Sequence, residues 1–98
     1  MGARRLSQGY EEAYRTWMLL EQLFDEESLA VFRRLSLVKA DRFWEILLKY
    51  GQMHAHKLFE KGEYRKIKLD ETKKLLALAD GEHRKEWRES LLKKYRKI

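Results

Sequence analysis

Residues 37–62 read LVKADRFWEILLKYGQMHAHKLFEKG, and their spacing decides the fold class. Val38, Phe43, Trp44, Leu47, Leu48, Tyr50, Leu58 and Phe59 recur at steps that a helix gathers on one side. The run is far longer than an ordinary strand. Lys57 and Lys61 sit where a helix C-terminus favours cations, and Gly62 then offers the left-handed stop. A helix over about 37–61 follows. Gly51 interrupts it at a cost of about 1 kcal/mol against Ala, which a kink or a close helix crossing would explain.

Toward the N-terminus, Tyr10, Tyr14, Trp17, Met18, Leu20 and Phe24 again keep three- and four-residue steps, so a helix is predicted over about 7–24. Asp25-Glu26-Glu27-Ser28 breaks the pattern and can cap a second helix over 27–35, with Leu29, Phe32 and Leu35 on one side. Ser36 offers a cap between this helix and the next, and a single helix through 27–61 fits the pattern equally.

Toward the C-terminus, Glu63 to Leu69 reads as a loop, briefly extended, with no strand to pair with. Asp70 can cap a helix over 70–80, with Glu71 in its first turn. Asp80-Gly81 reads as a stop or tight junction before a last helix over 82–96. There, Trp87, Leu91, Tyr95 and Ile98 form a narrow stripe expected to face inward, and Trp17, Trp44 and Trp87 are expected to meet in one core. The prediction is an all-α bundle of four to five helices with up-down packing in a single domain over 1–98.

Ninety-eight residues, 44% hydrophobic and 39% charged, suit such a bundle, because amphipathic helices carry charged outer faces. So short a chain buries little apolar area, which favours completion by self-association. Without Cys there is no disulfide, thiolate metal site or cysteine nucleophile. No apolar run is long enough to span a membrane, and Met1 to Ser7 lacks the apolar segment of a secretory signal, so a cytoplasmic protein is expected. Abundant Lys, Arg and Glu with no Asn or Cys suits a thermophile.

The net charge of +6 is uneven: residues 1–50 hold eight Lys/Arg and eight Asp/Glu, whereas residues 51–98 hold fourteen and eight. A basic half points to an anionic partner, and phosphate contacts ask for cations without strict spacing. The candidate set is Lys61, Arg65, Lys66, Lys68, Lys73, Lys74, Arg84, Lys85, Arg88, Lys93, Lys94, Arg96 and Lys97, with Tyr64 in the loop as a base-stacking aromatic. Residues 70–96 have the length of a helix-turn-helix about Asp80-Gly81, although Glu82, Glu86 and Glu89 interleave with the cations. His56 and Glu60 share a helix face and are weak metal candidates; His54 points roughly 200° away from His56, so one helix cannot direct all three at one ion. Ser residues lack a His with an acidic orienter, and no Gly-rich phosphate loop exists. No cofactor or catalysis is expected. The function read from the sequence is a non-catalytic nucleic-acid-binding or nucleoprotein-assembly subunit; the alternative is a protein–protein adaptor or homo-oligomeric structural subunit that ignores nucleic acid.

Overall fold

The computed structural model describes residues 8–96, and side-chain surroundings from residue 11. Ser7, Lys97 and Ile98, and the side chain of Tyr10, lie outside the described part. Four helices follow in order: α1 (Gln8–Leu23), α2 (Glu26–Leu35), α3 (Asp41–Glu60) and α4 (Leu69–Arg96). The protein is a small all-α bundle.

Within the Asp25–Ser28 stretch expected to cap α2, it is Asp25 that does so, one residue earlier than a start at 27 implies: its side chain accepts a hydrogen bond of 2.9 Å from the Ser28 backbone N–H. Glu26 and Glu27 in the first turn, and Arg33 and Arg34 in the last, complement the helix dipole. Residues 27–61 form two helices. After Leu35 the backbone tightens, with Val38 N–H donating to Leu35 O at 3.0 Å, and α3 starts only at Asp41, not at 37. This turn leaves Leu37 and Val38 exposed, so Val38 is no part of the core. Gly62 ends α3 at φ 81°. Its N–H donates to Phe59 O, and the Glu63 N–H donates to Leu58 O, each at 2.9 Å, which satisfies two carbonyls left open by the helix end.

The core centres on α3. Trp44 touches Trp17 of α1 (ring centroids 5.1 Å apart), Phe32 of α2 (5.5 Å) and its neighbour Phe43 (5.0 Å). Leu20, Phe24, Leu47, Ile67 and Ala79 are fully buried around this aromatic group. Gly51 marks a close crossing, one of the two explanations its position allowed. A Cβ there would lie 2.8 Å and 2.9 Å from the Phe24 ring.

The segment before α4 does find a partner, contrary to the sequence expectation. Ile67 N–H donates to Leu23 O at 2.8 Å, and Asp25 N–H donates to Ile67 O at 3.0 Å. The α1–α2 junction has free backbone groups because both helices end there, so it accepts this short extended pairing. It buries Ile67 completely.

The largest correction concerns α4, which is one helix through Asp80-Gly81, so there is neither a stop at 80 nor a helix-turn-helix. For Asp80 to cap a new helix, its carboxylate would have to accept from a nearby backbone N–H. Instead it holds Lys39 at 3.0 Å and Arg84 at 2.9 Å. Gly81 keeps a negative φ and faces open space. Its cost of about 1 kcal/mol is outweighed by the packing that the continuous helix makes with α3. The cap of α4 also differs from expectation. Asp70 falls inside the first turn, and it is Glu71 that reaches back to accept the Lys68 backbone N–H at 2.9 Å.

The inward face is also not the predicted stripe. Thr72, Leu75 and Ala79 are the buried residues of α4, whereas Trp87 and Tyr95 are each 65% exposed. Trp17 and Trp44 meet, and Trp87 does not join them. Where α2 crosses α4, the buried hydroxyls of Ser28 and Thr72 lie 2.7 Å apart. Thr72 spends its one proton on Lys68 O at 2.9 Å, so Ser28 donates to Thr72 and neither hydroxyl is orphaned.

Candidate nucleic-acid interface

On α4, Thr72, Leu75, Ala79, Glu82 and Glu86 follow a three-four-three-four spacing, which a helix lines up along one side. The first three are buried, and the last two carry the same side on as a row of carboxylates against α3. Glu86 binds Arg42 in a two-pronged pair, with Nε and Nη2 each donating at 2.9 Å. Glu82 accepts from Lys49 at 2.8 Å and from the Tyr50 hydroxyl. Glu71 accepts two bonds from Arg65, at 2.8 Å and 3.0 Å, and a third from His54 at 3.0 Å. Asp80 is paired from another flank, by Lys39 of the α2–α3 turn and by Arg84 of α4 itself, so four of the six acids of α4 are engaged.

The pairing shows in the acidities. The Arg65 guanidinium, helped by the Lys68 backbone N–H and His54, holds the Glu71 carboxyl well below the usual carboxylate range against the opposing effect of burial. Lys39 does the same for Asp80, Lys49 and Tyr50 for Glu82, and Arg42 for Glu86. Each stays ionised at neutral pH with its charge met locally.

The opposite side of α4 is left to cations. At 100° per residue, Lys73, Lys74, Arg84, Lys85 and Arg88 turn away from Thr72, Leu75 and Ala79, and all five are exposed. They spread over about 20 Å of helix at 1.5 Å per residue. The acids outside the seam are Asp70, in the first turn, and Glu89, toward the far end. Arg84 shares Asp80, so Lys73, Lys74, Lys85 and Arg88 dominate this stripe.

Other members of the predicted set do not join it. Arg65 is tied to Glu71 and Glu63, and Lys66 donates to Glu21 O at 3.0 Å across to α1. Lys61 and Lys68 are exposed at the two ends of the connecting loop. Tyr64 is 77% exposed with its ring against Phe59, centroids 5.3 Å apart. Lys93, Lys94 and Arg96 lie on the last turns of α4, away from the stripe's centre. Lys97 lies outside the described residues. His56 pairs with Glu60 at 3.1 Å in the open, while His54 turns to Glu71 on α4; no group of three metal-ligating side chains occurs among the described residues. No described helix is long and apolar enough to cross a membrane.

No family model, no curated protein and no solved structure matches this chain.

Sequence reasoning counted the α4 acids as dispersed among the cations and missed that they segregate. The signal was the Thr72-to-Glu86 spacing, visible only once 69–96 is read as one helix.

Proposed function

We propose that this protein is a non-catalytic nucleic-acid-binding subunit that meets phosphates with the outer face of α4. The observation that carries the reading is the sorting of charge on that helix. Four of its six acids are paired within the fold, and Lys73, Lys74, Lys85 and Arg88 are turned outward. A stripe of mainly one sign over a low-dielectric body concentrates its field outward, which suits a backbone of regularly spaced phosphates more than any single small anion. Such contacts position a nucleic acid without reading its sequence. A cytoplasmic location goes with this reading and rests on the sequence alone.

The test is fluorescence anisotropy with labelled single- and double-stranded DNA and RNA at several salt concentrations. The comparison is between the natural chain and a Lys73→Gln, Lys74→Gln, Lys85→Gln, Arg88→Gln variant. Binding should weaken steeply with salt, and the logarithmic slope should fall by about 0.7–0.9 for each phosphate contact the variant loses. Equal affinity and slope for both proteins would refute the reading. The adaptor or homo-oligomer reading is favoured by a different observation, the exposed large side chains on the last turns of α4.

A further inference from the structure

The first turn of α3 meets α4 at Glu86, through Arg42, and α4 continues for ten described residues beyond it. Nine of those ten are exposed and Leu91 is half-buried. At 1.5 Å per residue this end is about 15 Å long. Trp87, Leu92 and Tyr95 stand in the open on it. Cations outnumber acids there, with Arg88, Lys93, Lys94 and Arg96 against Glu89.

Helix geometry relates these aromatics to the cationic stripe. Trp87, Leu91 and Tyr95 are four residues apart, so they form one row that winds slowly around the helix. At 100° per residue, Trp87 starts the row on the flank, about 90° from the buried line of Thr72, Leu75 and Ala79. Tyr95 ends it about 170° from that line, on the side the stripe occupies. Arg88 lies within about 20° of Tyr95 around the axis, two turns earlier, and between Tyr95 and Leu92. Arg84 stands one turn before Trp87. The aromatic row therefore runs into the stripe, and rings and cations share one surface. Tyr64, in the loop before α4, is at the far end of the helix from this row.

That mixture selects the occupant. An anionic membrane takes a helix whose apolar face is clear of charge, with its cations on the other face. Here Arg88 sits inside the apolar arc, and the four turns before Trp87 carry cations on the same side. A protein groove that receives a helix likewise takes an apolar row. A nucleic-acid duplex offers phosphates to the stripe, but its bases are stacked on one another and present no free face to the rings. An unpaired strand offers phosphates and base faces together, and a cationic track with aromatic platforms is what binds it. We infer that the outer surface of α4 takes single-stranded nucleic acid, with the backbone along the stripe and unpaired bases stacked on Trp87 and Tyr95. The inference rests on the phosphate-binding reading of this helix and adds to it a preference for unpaired strands. Stacking accepts every base, so no sequence is selected.

Fluorescence anisotropy of the full chain with three labelled probes of equal length tests it. The probes are an oligothymidylate strand, its abasic counterpart (the same sugar–phosphate backbone without bases) and a duplex. The natural chain should bind the base-bearing strand about tenfold or more tighter than the abasic one. Trp87→Ala with Tyr95→Ala should bring those two affinities together and leave duplex binding and the salt slope unchanged, while circular dichroism keeps the same helix content. Lys73→Gln with Lys74→Gln should do the reverse, lowering the slope and preserving the ratio between the strands. Equal affinity for the two strands, a ratio that survives loss of both rings, or an equal loss on the duplex would each overturn the inference, while a retained salt slope would leave the phosphate reading standing. Absence of binding to all three probes would remove both. A shift in Trp87 emission on anionic vesicles, with none on the strands, would assign the row to a membrane and overturn the inference as well.

Discussion

The two halves of α4 share one helix and obey opposite rules. From Leu69 to Glu86 the side facing α3 carries modest residues, Thr72, Leu75 and Ala79, then the carboxylates Glu82 and Glu86. That half is packed. From Trp87 to Arg96 the helix carries larger apolar residues and lies on nothing among the described residues. Apolar size alone therefore does not choose the buried face. The available neighbour chooses it, and α3 presents Arg42, Lys49 and His54 as well as apolar surface along its length.

The largest effect expected from this contrast compares two truncations. Leu75→Ala should cost about 2–5 kcal/mol, as removal of a buried leucine does. Trp87→Ala removes a larger side chain and should change stability by no more than about 0.5 kcal/mol in dilute protein, where association contributes nothing. Urea unfolding measures both. Comparable losses would mean that Trp87 is packed and that the two halves are not different.

The next effect tests whether the halves are one helix. Gly81 is helical with open space around it, so Gly81→Ala should stabilise by about 0.5–1 kcal/mol. At a stop or a turn the same change would destabilise. Gly51→Ala provides the contrast. Its new methyl meets the fully buried Phe24 ring, and overpacking of about 1–3 kcal/mol should give a net loss. Thermal melts of both proteins should move in opposite directions.

The smallest effect concerns the start of the packed half. Glu71 has its acidity strengthened by Arg65, so its folded pKa lies below its unfolded one. The stability it contributes is then fully present above the ordinary glutamate value of about 4.3 and is lost as the pH falls below it toward the folded pKa. The natural chain should exceed Glu71→Gln in stability at neutral pH, and the gap should close through that acidic window. A gap that stayed constant with pH would assign the loss to the cap of α4 and not to the charge.

Much of the fold was legible. The three-four spacing named the first three helices, the Asp25–Ser28 stretch marked the start of α2, and Gly62 named the end of α3, because each of these signals acts within a few residues. The misreadings cluster at Asp80-Gly81 and the Trp87 stripe. A two-residue signal for a turn is weak beside the contacts a long helix makes with its neighbour, and a stripe of apolar residues reports a face without reporting what covers it. The cations of the candidate site were legible as residues. Their separation from the acids was not, since it depends on which side of α4 meets α3.

The sequence by itself determined an all-α chain, its helix-rich core and a basic second half, because periodicity, capping chemistry and charge are local or additive properties. Tertiary structure alone decided that 69–96 runs unbroken, that Ile67 pairs with the α1–α2 junction, that Glu71, Glu82 and Glu86 face α3 and that Trp87 stays outside. Each of these is a choice between partners far apart in the chain, and the free energy that settles it is released only when α1, α3 and α4 are in contact.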